Sequence, residues 1–150
     1  MYQGKFKLKN INKYKGDPES VYYRSSWELS IMLWCDSNSN IVQWSSEELV
    51  IPYLCPTDGR VHRYFIDFKI TFNNQRTYLV EVKPKKQTVP PEQKSTKKRD
   101  RKQYITEVLT YVKNQAKWKA ANDYASKNNA QFQVWTEDTL SQLGIKILGK

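Results

Sequence analysis

The hydrophobic pattern is sharpest over residues 64–83, YFIDFKITFNNQRTYLVEVK. Side chains of a β-strand alternate between its two faces. Over 64–72 this places Tyr64, Ile66, Phe68, Ile70 and Phe72 on one face, with Asp67 on the other between Phe65 and Lys69. Over 78–83, Tyr78, Val80 and Val82 share one face while Leu79, Glu81 and Lys83 share the other. The polar segment 73–76 between them reads as a turn. The stretch therefore predicts two antiparallel strands that bring Asp67, Glu81 and Lys83 to one side of a sheet. The reverse side is apolar and would pack against a helix.

The pattern elsewhere supplies the remaining elements. In 23–34, Trp27, Ile31 and Trp34 recur at helical spacing, and Ser25 with Glu28 forms the S-x-x-E of a capping box, a helix-start signature. Residues 41–44 and 49–53 are short β-rich runs, with Pro52 arguing for an edge or a strand end. Residues 56–59 (PTDG) form a tight turn into the long strand. A long helix is predicted over 103–127, its apolar stripe made by Ile105, Val108 or Leu109, Val112, Ala116 and Ala120. Residues 131–136 alternate as a strand, and 137–150 hold a short helix and a tail. Helix, strands, helix, strand in this order predict a single α/β (or α+β) domain over 1–150, with a mixed sheet flanked by helices.

Two segments carry no core pattern. Residues 1–23 form a basic N-terminal arm in which Lys5, Lys7, Lys9, Lys13 and Lys15 alternate with other residues, suited to an edge strand or to lying along DNA. Residues 84–102 hold three prolines and almost nothing apolar, and are predicted to be a mobile basic loop. Lys85, Lys86, Lys94, Lys97, Lys98, Arg99, Arg101 and Lys102 face only Glu92 and Asp100 there. The whole chain carries a net charge of +10, which favours a polyanionic partner, nucleic acid first. The 39% hydrophobic and 13% aromatic content supports one packed core.

No apolar run approaches the ~20 residues of a membrane span, so no membrane partner is expected. The first residues lack the apolar core of a signal peptide, which predicts action in a cytoplasm or inside an assembled particle. Cys35 and Cys55 lack CxxC spacing. With His62 they make half of a zinc site with no evident fourth ligand, so free thiols in a reducing compartment are the better reading. Arg60, His62 and Arg63 precede Asp67 and read as a solvated strand start, with phosphate contacts as the alternative.

Two carboxylates and a lysine on one sheet face have a chemical use. Mg²⁺ takes oxygen ligands, commonly one or two carboxylates together with substrate phosphates and water. A lysine alongside can orient a water or stabilise charge on phosphate oxygens. Asp67 followed by Glu81-Val82-Lys83 resembles the PD-(D/E)xK nuclease superfamily, with Ile66 where that pattern has proline. The R-S-x-x-E at 24–28 is similar to the helix of the transposon endonuclease subunit family. Glu28 keeps two readings, a helix cap and an auxiliary acidic ligand. Over its whole length the chain resembles the head completion nucleases of T-even-type bacteriophages.

These resemblances imply a restriction-endonuclease-like αβββαβ core and a Mg²⁺-dependent (alternatively Mn²⁺-dependent) deoxyribonuclease. Asp67 and Glu81, with Glu28, would bind the metal, and Lys83 would position water. They imply processing of packaged phage DNA before head–tail joining, head and neck proteins as partners, and the infected host's cytoplasm, in association with the phage head, as the location. A non-catalytic DNA-end-binding assembly factor and a restriction-, repair- or transposition-type endonuclease are the alternatives.

Overall fold

The strands expected at 64–83 form, but the first is broken at Ile66 and Asp67. The structure, a computed structural model, describes residues 3–148. Strands β1 (Gly4–Lys5) and β2 (Tyr22–Tyr23) pair and close the N-terminal arm on itself. Then come α1 (Ser26–Ser37), β3 (Ile41–Ser46), β4 (Val50–Leu54), β5 (Val61–Phe65), β6 (Phe68–Phe72), β7 (Thr77–Val82), α2 (Lys98–Lys127), β8 (Ala130–Trp135) and α3 (Glu137–Gln142). The central sheet has the order β3-β6-β7-β8. Its first three strands run antiparallel, and β8 lies parallel to β7 through the α2 crossover. Strands β4 and β5 form a separate hairpin. The mixed sheet flanked by helices is as expected.

The break has a non-local cause. The Glu47 N–H donates to the carbonyls of Ile66 (3.1 Å) and Asp67 (3.2 Å), and the Ile66 N–H donates to the Leu49 carbonyl (3.0 Å). The connection between β3 and β4 thus takes up backbone groups that would have continued the strand. As a result Tyr64 and Ile66 do not share a core with Phe68 and Ile70. Phe68, Ile70 and Val80 pack with Ile31, Met32 and Trp44, under α1 and the N-terminal arm. Tyr64, Ile66 and Leu79 pack with Trp118, Ala121 and Ala125 of α2. The sheet is therefore covered on both faces, and the chain at Asp67 passes from one core to the other.

The arm is part of the fold. Phe6, Tyr14 and Val21 are buried, and the Asp36 carboxylate accepts from the backbone N–H groups of Lys9 (2.9 Å) and Asn10 (3.2 Å). The long helix also differs from its expected form. It begins at Lys98, inside the segment expected to be a loop, after a single 3₁₀ turn at Lys85–Gln87. Its buried positions are Asn114, Trp118, Ala121 and Ala125, whereas Ile105, Leu109 and Val112 are 58%, 50% and 39% exposed. Trp118, the largest side chain on the helix, sets which face meets the sheet. At 1.5 Å per residue, thirty helical residues span about 45 Å against about 20 Å for six-residue β8, so the first half of α2 overhangs the sheet.

Candidate active site

Asp67, Glu81 and Lys83 meet at the C-terminal end of β7. The Val82 N–H donates to Asp67 Oδ2 (2.8 Å), fixing the aspartate in the strand break beside the Glu81-Val82-Lys83 segment. Glu81 is only 6% exposed. Its Oε2 accepts from the Tyr64 hydroxyl (2.6 Å), and its Oε1 lies 3.6 Å from Lys83 Nζ. Loss of water and then the neighbouring Glu81 charge push the Asp67 carboxyl well above the usual carboxylate range. The Glu28 charge pushes the same way, while the Val82 N–H and the Lys83 ammonium oppose. Burial and the adjacent glutamate likewise push the Tyr64 phenol above its usual range, which keeps it a hydrogen-bond donor.

Glu28 stands in the first turn of α1. Its own N–H donates to the N-cap Ser25 Oγ (3.1 Å), but its Oε1 accepts from the Arg24 N–H (3.3 Å) and not from that of Ser25. Only half of the expected capping box is therefore made, and Oε2 has no hydrogen-bond partner among the described residues. Burial raises the Glu28 carboxyl above its usual range, the Arg24 N–H opposes, and the Glu47 charge adds to the rise. The positive end of the helix dipole favours a carboxylate at this position.

The basic set falls on the segment after β7 and on the first turns of α2. Lys85 is tied to the start of α3, its Nζ 3.0 Å from Asp138 and its N–H donating to Glu137 (2.7 Å). Lys86, Lys94 and Lys97 are exposed. Lys98, Arg99, Arg101 and Lys102 lie on the first turns of α2, also exposed, at the tip of the overhang. From Lys98 to Asn114 is about 24 Å of helix, or about seven phosphates of one DNA strand at 3.4 Å each.

Three residues were not legible as site residues. Tyr64 reads as a core residue, yet its hydroxyl holds Glu81. Glu47, in what reads as a loop, has φ 54°, sparsely populated for a non-glycine residue, and pairs with Arg24 at 2.6 Å. Lys117 lies beside the helix stripe expected from sequence, and its ammonium sits 5.5 Å from the Tyr64 ring centre and 6.0 Å from that of Tyr53. Only the positive φ of Glu47 is a local signal, and it is visible in the backbone alone.

His62 is held elsewhere. It lies on β5 with Nε2 2.6 Å from Asp58 Oδ2, and Cys55 Sγ is near both. Each member of this group already has a partner. The Cys55 thiol meets Thr57 Oγ1 (3.1 Å), and Asp58 Oδ1 accepts from the Arg60 N–H (2.9 Å). The group closes the turn of the β4–β5 hairpin. Cys35 is buried far from it in sequence and in the other core, and both cysteines are free thiols.

Residues 38–137, from the end of α1 to the start of α3, match the family described as the TnsA-like endonuclease N-terminal domain. The chain belongs to this family. The matched region contains Asp67, Glu81, Lys83 and Lys117 and begins after Glu28. The chain is also 41% identical over 146 residues to the head completion nuclease of Enterobacteria phage T4, covering 97% of either protein. No solved structure matches the chain significantly. The resemblance in sequence to the phage head completion nucleases is thus borne out over nearly the whole chain.

The donor set suits a hard divalent cation. Asp67 Oδ1 and Glu28 Oε2 have no hydrogen-bond partner among the described residues, and Glu81 Oε1 meets only Lys83 at 3.6 Å. Uncompensated carboxylates of this kind, one of them destabilised in its charged form by the other, are relieved by a cation of charge two. No helix among the described residues is long and apolar enough to cross a membrane.

Proposed function

We propose that the protein is a Mg²⁺-dependent deoxyribonuclease that hydrolyses phosphodiester bonds of packaged phage DNA during head completion. Its partners would be proteins of the phage head and neck, in the cytoplasm of the infected host. The observation that carries this reading is the meeting of Asp67, Glu81 and Lys83 at one sheet end in a chain of the endonuclease family. Asp67 and Glu81 would hold the cation, with Glu28 as an auxiliary ligand. When bound, that cation would polarise the scissile phosphate and help ionise the attacking water.

The chain's own groups have distinct tasks. The Val82 N–H and the Tyr64 hydroxyl hold one oxygen of each carboxylate and leave the other oxygen free to bind. Lys83, 24% exposed at its side chain, would place its ammonium against the attacking water and the phosphate oxygens. A water oxygen joins phosphorus, the bond to one ester oxygen breaks, and the products are a phosphate end and a hydroxyl end. The basic residues from Lys86 to Lys102 would hold the duplex by its phosphates, independently of sequence.

Incubation of the purified protein with linear and circular duplex DNA, in Mg²⁺ and in EDTA, tests the proposal. Cleavage in Mg²⁺ that EDTA abolishes is expected. Tight binding of DNA ends without cleavage in either Mg²⁺ or Mn²⁺ would overturn it and favour the assembly-factor alternative.

A further inference from the structure

Lys117 is a charged residue in an unusual position. Its amino group is half-buried and lies over the faces of Tyr64 and Tyr53, 5.5 and 6.0 Å from the ring centres. Tyr64 is the residue whose hydroxyl binds Glu81. The topology explains the placement. Asn128 and Asn129 reverse the chain, so α2 runs back over the sheet from the end where Ala130 pairs with Thr77. Lys117 lies about 12 Å along the helix from Ala125, and Glu81 lies about 13 Å along β7 from Thr77, so the two are level.

The charges around Lys117 come from three elements. Glu81 and Asp67 favour its charged form, while Lys83 and Lys113 oppose it. Even so, it makes no ion pair within 4 Å among the described residues. A lysine that only needed a home would reach a carboxylate or water; this one is desolvated against two aromatic rings, where cation–π attraction contributes only about 0.5–2 kcal/mol. Lys113 stands one turn earlier on the same helix, and Lys83, just past the end of β7, lies 3.6 Å from Glu81. Lys117, Lys113 and Lys83 are thus near enough to one another and to the two carboxylates for their charges to act on Lys117. If the carboxylates neutralise a divalent cation, the lysines are left as an uncompensated positive surface.

Resting on the nuclease reading above, we propose that Lys117, with Lys113, forms a phosphate subsite of the active centre that takes a non-bridging oxygen of the cut DNA strand from the α2 side, opposite Lys83. This subsite adds a second positively charged wall to the one the Glu81-Val82-Lys83 segment supplies. It also gives the bend in function along α2 a cause: the helix meets the sheet where its lysines reach the reacting phosphate, and overhangs beyond.

Lys117→Met tests the subsite, because methionine keeps an apolar stem over the tyrosines and removes the charge. Two readouts are taken on a short duplex: the salt dependence of binding in Ca²⁺, and the cleavage rate at saturating DNA in Mg²⁺. The expected result is a log–log salt slope shallower by about 0.9, the loss of one phosphate contact. The rate should fall by about a hundredfold, the low end of the loss when a charge-stabilising donor is removed. Lys117→Arg should restore the slope. A wild-type slope in Lys117→Met overturns the subsite, whatever the rate. Asp67→Asn, run alongside, keeps the two readings separable. Undiminished cleavage by that variant would remove the nuclease site while the slope still decides the subsite.

Discussion

The two ends of the proposed DNA track are built on opposite principles. At the sheet end, Asp67 and Glu81 are desolvated neighbours, Glu28 is near enough for its charge to act on Asp67, and each of the three has one oxygen held by a protein donor. At the tip of α2, Lys97, Lys98 and Arg99 are exposed and make no ion pair among the described residues, while the Asp100 carboxylate accepts from the Ser95 hydroxyl. Both arrangements are unfavourable alone. Like carboxylates repel, and cations at a helix N-terminus oppose its dipole. The first is relieved by a cation and the second by a polyanion. Burial suits chemistry, where position must be fixed. Exposure suits affinity, where many phosphates must be matched and salt competes.

The comparison can be broken from the exposed side first. Replacing Lys97, Lys98 and Arg99 with Ser should make the log–log salt slope of binding shallower by up to roughly 2.7 units if all three touch phosphate. Over a fourfold range of salt, such a difference alters relative affinity by about fortyfold. Binding should weaken equally on unrelated duplexes, and cleavage at saturating DNA should hold. Titrations of both proteins in Ca²⁺ on two sequences would check this, and an unchanged slope would move the DNA track to the lysine-rich arm.

Glu28→Gln probes the buried side. Glutamine preserves a hydrogen-bonding group at the helix start, so stability should change little. Turnover at limiting Mg²⁺ should fall by about tenfold and recover as Mg²⁺ is raised, the signature of a lost ligand rather than a lost acid. A Mg²⁺ titration of the rate that superimposes on wild type would leave Glu28 as a helix-start residue.

The smallest effect is on stability. The Asp67 carboxyl lies above its unfolded value, so protonation stabilises the metal-free fold. That contribution is complete below the unfolded pKa and is lost as pH rises through the folded one. At pH 7 in EDTA, Asp67→Asn should therefore melt higher than wild type by a few degrees, about 1 kcal/mol corresponding to roughly 4 °C for a domain of this size. The gap should close in acid, and Mg²⁺ should raise the melting point of the wild type alone. A variant that melts lower at pH 7 in EDTA would mean that the carboxylate is compensated within the protein.

How much of this was legible before the structure depended on how local each signal was. Period-two alternation placed Asp67, Glu81 and Lys83 on one side, because it needs only neighbouring residues. The break at Asp67 was not legible, since Glu47 and Leu49 cause it from another segment through backbone groups that carry no sequence signature. The phase of α2 was misread because the larger aliphatic residues Ile105, Leu109 and Val112 form a stripe that lies beyond the sheet, and burial is decided by where the sheet ends. Lys98 to Lys102 were read as loop because charge and nearby prolines masked a helix start that Ser95 and Asp100 organise. Tyr64 meets Glu81, and Lys117 meets Tyr64, only once β5 and α2 are brought against β7.

The central claim is that the Asp67–Glu81 pair carries the chemistry and not the affinity. The direct measurement is a single-turnover cleavage time course at saturating duplex for wild type, Asp67→Ala and Glu81→Ala in Mg²⁺, with binding of the same duplex measured for each in Ca²⁺. Near-complete loss of cleavage in both variants, with folding retained and binding close to wild type, is the expected result. Substantial cleavage by either variant would contradict it.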